Sequence, residues 1–313
     1  MSYFLGVDAG GTKAEFLLGD ESHDLGRVRT GTLYRMRADV NTVEANLDNA
    51  FRQLSAISGV SMQSIVRCRI GTAGDTVALV TDWLREAFSK WVGGELEIVG
   101  DVEIALDAAF HGRRGILVLA GTGSNLAGRA SDGTIVTTGG WGPVLADQGS
   151  ARFIGLEGLR RGFLAIDQQR STRLLDLAME HWHLHSLSAL IEHANAQPAR
   201  DYSTLAPLFA QAAAEGDVVA REVLVQGGVD LAYLVNLLIA RLKTIEASLS
   251  SDSFVLPAIA ITGSILERVD ILREAMQADL RRGHPDITFI DTPADPPAGA
   301  LWGARRGKSA SGA

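Results

Sequence analysis

The feature that most constrains this chain is a strand–glycine turn–strand unit that occurs twice. The first copy begins with the apolar run Tyr3–Val7 and turns through Asp8–Lys13, which reads DAGGTK. The second copy, about 110 residues further on, begins with Gly115–Leu119 and turns through Ala120–Asn125, which reads AGTGSN. In each copy a second strand and a further turn follow, and a third strand comes next. A repeat of this length predicts two similar domains.

Both turns have the composition of an anion-binding loop. Glycine lets the backbone bend tightly and leaves no side chain to keep an anion away from the converging N–H groups. Asp8 ends the first strand, where its carboxylate can hold a magnesium ion through water. The structural alternative is a plain hairpin turn with Lys13 at the surface. We expect phosphate oxygens at the following residues: Gly10, Gly11, Thr12, Lys13, Gly121, Thr122, Gly123 and Ser124.

Two further carboxylates follow predicted strands. The strand Ile65–Ile70 runs into a small-residue loop that ends at Gly74 and Asp75, and the strand Leu96–Val99 leads to Asp101. Open α/β sheets place their chemistry at the carboxyl ends of strands. Asp101 is therefore the candidate general base for a hydroxyl group, since phosphoryl transfer needs that hydroxyl oriented and its proton accepted late. For both acids, helix capping is the alternative role.

The middle of the chain adds two more candidate ligand loops. Gly139–Pro143 reads GGWGP and cannot form regular structure, so Trp141 is either a core anchor or a wall beside a ligand. Asp147 lies near the start of a predicted helix, as a cap or as an acid of the site. Asp107 falls inside the helix predicted for Val102–His111, and we expect it at the surface.

The last third of the chain is predicted to be largely helical before two final strands. Apolar spacing favours one long helix over Val218–Leu249. The strand Ile259–Thr262 ends in the small residues Gly263 and Ser264, which form either a tight turn or a surface on which a flat ligand can lie. A terminal helix is expected from Ala298–Ala304 onward, where small residues allow close packing.

Composition narrows the classes of function. The chain has 313 residues, 46% of them hydrophobic, and 34 glycines, which suits a two-domain α/β protein rich in tight loops. The net charge of −8 and the lack of a basic face argue against nucleic acid or an anionic membrane as a partner. Phosphate binding must therefore come from local amides and metal.

The single cysteine, Cys68, excludes an intramolecular disulfide and fits a reducing compartment. The N-terminal apolar run is too short for a signal peptide, and we find no apolar run approaching 18 residues. We therefore expect a cytoplasmic protein with no membrane partner.

Eight motifs, taken together, resemble those of the sugar kinase, heat-shock chaperone and actin superfamily. In chain order they are GVDAGGTK, GTAGD, GDVEIALDAA, LAGTGSN, GGWG, ADQGSA, ITGS and AGALWGA. The chain is most similar to the N-acetylglucosamine and glucosamine kinase branch of the BadF/BadG/BcrA/BcrD ATPase family. The resemblance implies two actin-like (ribonuclease H-like) α/β domains, each a mixed sheet flanked by helices, with an active-site cleft between them. We place the N-terminal domain at 1–114 plus the terminal helix 297–313, and the C-terminal domain at 115–296.

The resemblance also implies a function. It predicts a homodimeric kinase that transfers a phosphoryl group from Mg-ATP, in line, to the primary hydroxyl of N-acetylglucosamine or a close amino sugar, giving a 6-phosphate. Asp101 is then the general base, and Gly263 and Ser264 meet the adenosine. The sugar is expected to contact five residues: Gly74, Asp75, Asp101, Asn125 and Asp147.

Alternatives remain at this stage. The asparagine that usually follows the first hairpin in such kinases is missing, so Tyr34 or Arg35 could replace it. Arg35 or Arg37 could also meet an acidic sugar such as N-acetylmuramic acid, and glucosamine is a further candidate. A 2-hydroxyacyl-CoA dehydratase activator would need cysteines for an iron–sulfur cluster. A sugar-sensing regulator would need a DNA-binding helix pair, and the chain starts at the first phosphate turn.

Overall fold

The computed structural model describes five stretches of the chain, namely residues 1–142, 144–198, 200–250, 253–290 and 294–307. The chain separates into two compact units. The first consists of Met1–Leu117, Arg129–Ile135 and the residues from Ala294 onward, and the second of Val118–Gly128 and Val136–Pro293. The segment Arg129–Ile135 thus belongs to the first unit, whereas sequence analysis assigned it to the second domain.

The first unit is built on a five-stranded mixed sheet. Strand β1 pairs antiparallel with β2 and β2 with β3, while β1 pairs parallel with β4 and β4 with β5. The strand order is β3-β2-β1-β4-β5. The strands are β1 Tyr3–Ala9, β2 Lys13–Gly19, β3 Asp24–Gly31, β4 Ile65–Thr72 and β5 Glu95–Gly100. Asp8 therefore lies within the first strand, one residue before its end.

Four helices accompany this sheet: α1 Val40–Ser58, α2 Ala78–Ser89, α3 Asp101–Phe110 and, at the C-terminal end, α11 Pro296–Arg306. Helix α1 begins after Asp39, whose side chain accepts a hydrogen bond from the Thr42 amide, and ends at Gly59 in the left-handed conformation. The core on this side of the sheet contains the aromatic rings of Phe16, Phe51 and Phe88, which lie 5.4–6.1 Å apart.

Helix α11 packs unusually close to its neighbours, as its small residues predict. A side chain at Gly299 would lie 1.9 Å from the Ile104 carbonyl oxygen of α3, and one at Gly6 of β1 would lie 2.3 Å from the Leu301 amide. Only glycine permits both approaches. The part of the predicted C-terminal segment beyond residue 307 lies outside the described residues.

A buried ion-pair network holds α3 against the sheet. Asp107 is 2% exposed and accepts from Arg69 Nη1 at 2.6 Å, and its other oxygen lies 2.8 Å from Arg129 Nη1. Glu103 and Glu97 pair with the same Arg69 guanidinium, at 2.5 and 3.3 Å. The prediction that Asp107 lies at the surface is wrong, because charges on distant parts of the chain compensate its burial.

The second sheet repeats the plan of the first. Its strands are β6 Gly115–Ala120, β7 Ser124–Arg129, β8 Ile135–Gly139, β9 Ile259–Thr262 and β10 Phe289–Ile290. They lie in the order β10-β9-β6-β7-β8, so the first, second and third strands of each sheet stand in the same relation to the fourth and fifth. The internal repeat predicted from the two glycine turns is therefore present in the strand order.

The helices of the second unit are α4 Ala151–Asp167, α5 Leu174–His181, α6 Leu187–Ala194, α7 Ala206–Ala214, α8 Val218–Leu249, α9 Ser264–Arg268 and α10 Asp270–Gly283. Helix α8 has the bounds predicted from its apolar spacing. It packs against α10, α4 and α7 and forms the centre of the helical layer.

By length and composition, α8 could also cross a membrane, contrary to the expectation that no stretch is long enough. Of its most apolar 18-residue window, 56% is buried inside the protein. Its buried positions include Val223, Leu231 and Leu238, which recur at helical spacing and face the neighbouring helices. This pattern is typical of a core helix.

Candidate functional site

Strand register places the first group of candidate residues at one edge of the first sheet. Ala9 of β1 pairs with Thr72 of β4, and Thr72 pairs with Gly100 of β5. The chain leaves these three strands at the same edge, into the first glycine turn, the Gly74–Asp75 loop and Asp101. Neighbouring strands lie about 5 Å apart, so these three loops start within about 10 Å of one another.

The first glycine turn is closed by contacts that require glycine and a neighbouring hydroxyl. A side chain at Gly10 would lie 2.9 Å from the Lys13 carbonyl oxygen, which is too close for any other residue. Thr32, just after β3, donates its hydroxyl to the Gly10 carbonyl at 2.9 Å. The turn is therefore fixed both by its own curvature and by the segment that follows the hairpin.

Lys13 does not face the turn as a free cation. Its ammonium donates to Glu15 Oε1 at 2.5 Å, along the face of β2. Burial raises the pKa of Glu15, but the hydrogen bond and charge of Lys13, together with Arg27 and Arg29, outweigh it and hold that pKa below its usual value. Sequence analysis expected Lys13 to bind phosphate, but in the structure this lysine is already paired with a carboxylate.

Asp8 has a strongly perturbed carboxyl group at this edge. Burial, followed by the charges of Asp101 and Glu15, raises its pKa from 3.8 to about 7, although Lys13 acts in the opposite direction. A buried carboxylate whose pKa is raised further by a neighbouring acid is a frequent mark of a functional site. A divalent cation would relieve that repulsion.

Asp101 is the first residue of α3, directly after Gly100. Its Oδ1 accepts a hydrogen bond from the Val102 amide at 2.8 Å, and the positive end of the helix dipole favours a carboxylate there. Gly100 itself is the N-cap residue. Asp101 thus stands at the end of β5 with its carboxylate held in the first turn of the helix.

The loop after β4 brings Asp75 and Tyr34 to the same place. A side chain at Gly100 would lie 3.4 Å from Asp75 Oδ2, and one at Gly74 would lie 3.3 Å from the Tyr34 hydroxyl. Helix α2 begins at Ala78 with Val77 as its cap, so Asp75 is not the capping residue. The structural alternative for Asp75 is therefore excluded.

The segment after β3 separates the two arginines that sequence analysis named together. Arg35 donates to the Ala38 carbonyl at 2.9 Å and closes its own turn. Arg37 instead extends over the glycine turn, where a side chain at Gly11 would lie 3.6 Å from its Nη1. Burial raises the pKa of Tyr34, with Arg37 lowering it and Asp101 raising it further, so this tyrosine lies in reach of both charges.

In the second unit, the turn after β6 is tied to the start of α4. The Gly121 amide donates to the Gly123 carbonyl at 2.9 Å, and the Ala151 amide donates to the Gly121 carbonyl at 2.8 Å. The Arg152 amide reaches the Thr122 carbonyl at 3.3 Å. Ser124 is buried, and its hydroxyl donates to the Gln148 carbonyl at 2.8 Å, so that hydroxyl holds two loops together.

Asp147 lies directly beside this second turn. A side chain at Gly123 would lie 3.0 Å from Asp147 Oδ2. Asp147 is 7% exposed and has a φ of +69°, a left-handed backbone conformation that is uncommon for residues other than glycine. Helix α4 is capped by Ser150, whose hydroxyl accepts from the Phe153 amide at 3.2 Å, so Asp147 is not the cap.

Asn125 and the glycine-rich loop meet on the other side of the turn. A side chain at Gly140 would lie 2.5 Å from the Asn125 side chain. The Asn125 Oδ1 atom is buried and has no hydrogen-bond partner within the described part of the chain, which marks it as an acceptor that a ligand could satisfy. Trp141 is 76% exposed, so its interpretation as a core anchor is wrong. Val144 and Leu145 are similarly exposed.

A cavity of about 710 Å³ opens next to the same turn. Its lining includes Thr122 and Ser264, which are far apart in the sequence and both predicted to meet nucleotide. Gly263 makes this possible: its φ is +100°, and a side chain there would lie 2.4 Å from the Ala120 carbonyl oxygen. The volume is in the usual range for a small-molecule site.

Sequence analysis missed the opposite wall of this cavity. That wall comes from one side of α7 along its whole length and from the turn before it, and it includes Ser203, Pro207, Ala210 and Ala214. The only available signal was the small size of the alanines, which recur four residues apart on one helix face and leave room for a ligand. Small residues on a helix are so common that they predict a site only once the facing turn is known.

Comparison with known proteins adds to this geometry. The chain is 25% identical to an N-acetylmuramic acid/N-acetylglucosamine kinase from Clostridium acetobutylicum, over 97% of this chain and 99% of the relative. It is 26% identical to the N-acetyl-D-glucosamine kinase of Dictyostelium discoideum, over 95% and 96% of the two chains. The solved structure of a proposed N-acetylglucosamine kinase from Chromobacterium violaceum shares the fold, with a TM-score of 0.71 at 23% identity over 96% of this chain and 98% of that one.

These likenesses confirm the predicted fold class, with two mixed sheets flanked by helices. A family model described as the BadF/BadG/BcrA/BcrD ATPase family matches residues 5–304. That match covers nearly all of the chain and includes both glycine turns, Asp101 and the Gly263–Ser264 turn. The protein belongs to the BadF/BadG/BcrA/BcrD ATPase family.

Proposed function

We propose that this protein is an ATP-dependent amino-sugar kinase that phosphorylates the primary hydroxyl of N-acetylglucosamine or a close relative, giving a 6-phosphate. The observation that carries the proposal is the pair of carboxylates, Asp8 and Asp101, at the edge where the first glycine turn leaves the sheet. The two relatives named above are amino-sugar kinases, and the chain matches each of them over nearly the full length. They support the same class of substrate.

Asp101 is proposed as the general base. Phosphoryl transfer asks little covalent chemistry of the protein and depends on positioning and electrostatic stabilisation. A carboxylate fixed in the first turn of α3 can orient a hydroxyl and accept its proton late in the reaction. Asp75 and the Tyr34 hydroxyl, close to the same point, are proposed to position the sugar together with Gly74.

The donor end of the reaction is proposed to use both glycine turns. Backbone amides at Gly10, Gly11 and Thr12 would bind phosphate oxygens in the first unit. In the second unit the turn at Gly121–Gly123 would do so, with adenosine in the cavity between Ser264 and α7. Asn125 and Asp147 are proposed to contact the sugar, which stays a prediction of the sequence, as does their sharing one active site with Asp101.

The residues present fit a magnesium ion at Asp8. Magnesium is usually held by one or two carboxylates together with substrate phosphates, and it keeps several waters. Asp8, whose ionisation is disfavoured by its burial and by Asp101, would be stabilised as an anion by such a cation. Asp8 is therefore the proposed magnesium ligand, as the sequence predicts. When bound, the ion would neutralise charge on the transferred phosphate.

The activator-type ATPase is the weaker candidate. Cys68 is the only cysteine of this chain; it is fully buried in β4, and its burial raises the pKa of the thiol. A thiol in that state is neither accessible nor deprotonated, so it cannot hold an iron–sulfur cluster. A kinase for glucosamine or N-acetylmuramic acid remains the alternative within the same class.

An assay of ADP release over a panel of sugars tests the proposal. The panel should contain N-acetylglucosamine, glucosamine, N-acetylmuramic acid, glucose and glycerol, with product position determined by NMR. We expect turnover with at least one amino sugar, and a 6-phosphate product. Turnover with glucose or glycerol alone would contradict the amino-sugar assignment, and no ADP release with any acceptor would contradict the kinase itself. A cytoplasmic location and a homodimeric assembly stay predictions.

A further inference from the structure

The first glycine turn, proposed to bind phosphate, has no free cation of its own, although its sequence contains Lys13. Lys13 is the basic residue of the DAGGTK turn, yet its ammonium is paired with Glu15 at 2.5 Å. Glu15 in turn belongs to a charged face that includes Arg27 and Arg29. If an anion binds at this turn, its positive partner must come from another part of the chain.

The segment after β3 is built to supply that partner. Thr32 donates its hydroxyl to the Gly10 carbonyl and accepts from the Tyr34 amide, both at 2.9 Å. Asn46 of α1 donates to the Thr32 carbonyl at 3.0 Å. These bonds fix the beginning of the segment to the turn itself, and no movement of one without the other is expected.

The segment then closes into a turn that aims Arg37. The Arg37 amide donates to the Tyr34 carbonyl at 2.9 Å, and the Arg35 guanidinium donates to the Ala38 carbonyl. Three guanidinium atoms of Arg37 would lie 3.6–3.8 Å from a side-chain carbon at Gly11. The second glycine of the turn thus leaves open the space that the guanidinium faces.

Arg37 itself is exposed. Within the described ranges its guanidinium forms no ion pair or hydrogen bond, and only its backbone amide is bonded. Its guanidinium lies beside Gly11. It also affects the pKa of Tyr34, whose hydroxyl lies next to Gly74 and whose pKa also responds to Asp101. An arginine that lies over a glycine turn, with its backbone fixed and no partner for its guanidinium among the described residues, has the chemistry of an anion-binding group.

We propose that Arg37, rather than Lys13, is the cation of the first phosphate turn and binds an anionic oxygen placed over Gly11. The anion has two possible sources, the phosphoryl group in transfer or a carboxylate carried by the sugar. This inference deepens the proposed kinase function, since it assigns the charge recognition of the same site to one residue outside the glycine motif.

The test compares Arg37→Ala, Arg37→Lys and Lys13→Ala in the full chain. Arg52→Ala, an exposed arginine on α1, is the matched control for loss of one positive charge. Affinities for ADP and for the analogue AMPPNP are measured by calorimetry. Steady-state kinetics are then measured with N-acetylglucosamine and with the carboxylated N-acetylmuramic acid. Melting temperatures confirm that every variant is folded.

Two results support the proposal and separate the two sources. If the anion is the phosphoryl group, Arg37→Ala weakens AMPPNP but not ADP and lowers kcat with either sugar by roughly ten- to a hundredfold. If it is the sugar carboxylate, only N-acetylmuramic acid shows a raised KM, by a similar factor. In both cases Arg37→Lys recovers part of the loss, because it keeps the charge, and Lys13→Ala has less effect than Arg37→Ala.

An Arg37→Ala protein that matches Arg52→Ala in every one of these measurements overturns the proposal. So does a larger loss in Lys13→Ala than in Arg37→Ala. Failure of the kinase function would look different: wild-type protein would then turn over no amino sugar, while the comparison of AMPPNP with ADP, and direct calorimetry with N-acetylmuramic acid, would still decide whether Arg37 binds an anion.

Discussion

Asp8 and Asp101 stand at the same edge of a sheet, at the ends of different strands, and the charge of Asp101 raises the pKa of Asp8. Desolvation of Asp8 adds to this repulsion and brings its pKa to about 7. A buried carboxylate beside another acid is costly to ionise in the protein alone, and a nearby divalent cation would offset that cost. The two residues therefore allow separate predictions, one on chemistry and one on stability.

The Asp101→Asn variant is expected to fold and to bind AMPPNP like wild type, while its kcat falls by about a hundredfold or more, because an amide cannot accept the hydroxyl proton. Steady-state kinetics and calorimetry check this. Asp82→Asn, an exposed change on α2, is the control for loss of one negative charge. Turnover at the control's rate would exclude Asp101 as the base.

The Asp8→Asn variant is expected to change how stability depends on pH. The folded-state pKa of Asp8 is raised from 3.8 to about 7, so folded protein retains a proton that the unfolded chain releases. The free energy of unfolding of metal-free wild type should therefore fall, relative to Asp8→Asn, as pH rises from about 4 to about 7. The loss should reach at most about 4 kcal/mol and stay constant at higher pH.

Urea titrations in EDTA, at several pH values between 4 and 8, measure this difference for the two proteins. Asp101→Asn provides a cross-check, because it removes one cause of the raised pKa and should shrink the pH-dependent loss. Parallel stability curves for wild type and Asp8→Asn would show that the Asp8 pKa is close to that of the unfolded chain.

At the scale of elements, helix α3 is held in place by buried ion pairs and by close packing against α11. Its first residue carries the proposed base, while its last turns carry Asp107, buried between Arg69 and Arg129. Arg69 comes from β4 and Arg129 from the end of β7, so one helix is fixed by charges from two strands. Its other side lies against Gly299 of α11 without room for a methyl group. These contacts set where Asp101 stands.

Loss of the Asp107 carboxylate should therefore be strongly destabilising. Asp107→Ala leaves Arg69 and Arg129 without their buried partner, and breaking a buried pair in this way costs about 3–5 kcal/mol. The control is Glu95→Ala, which removes an exposed partner of Arg67 and should cost less than about 1 kcal/mol. Urea unfolding measures both. Equal losses in the two variants would mean that the network adds no more than a surface pair.

At the scale of the whole chain, two sheets with the same strand order carry two glycine turns with different surroundings. The first turn lies among carboxylates and arginines, and the second lies beside a cavity walled by small residues of α7 and the Gly263–Ser264 turn. The two turns occupy the same place in the repeated strand order. The segments between the repeated strands give each turn its different neighbours.

Filling the cavity should remove nucleotide binding without unfolding the protein. Ala210→Phe places a ring where the base is proposed to lie, whereas Ala247→Phe on the exposed face of α8 is the control. At about 100 times its Kd, AMPPNP should stabilise wild type and the control by about 2.7 kcal/mol. Thermal shift then separates them from Ala210→Phe, which should show almost none. A normal shift in that variant would place the nucleotide elsewhere.

The sequence by itself determined the repeat, the bounds of elements such as α8, and the candidate residues at strand ends, because these depend on local periodicity and on glycine's backbone freedom. Tertiary structure alone decided which charges are partners. Asp107 was expected at the surface and is buried, Lys13 is paired with Glu15, and Arg37 is left over Gly11, because ion pairs form between residues that are distant along the chain. The sequence likewise did not predict the walls of the cavity, because small residues on a helix indicate a binding site only when the surface that faces them is known.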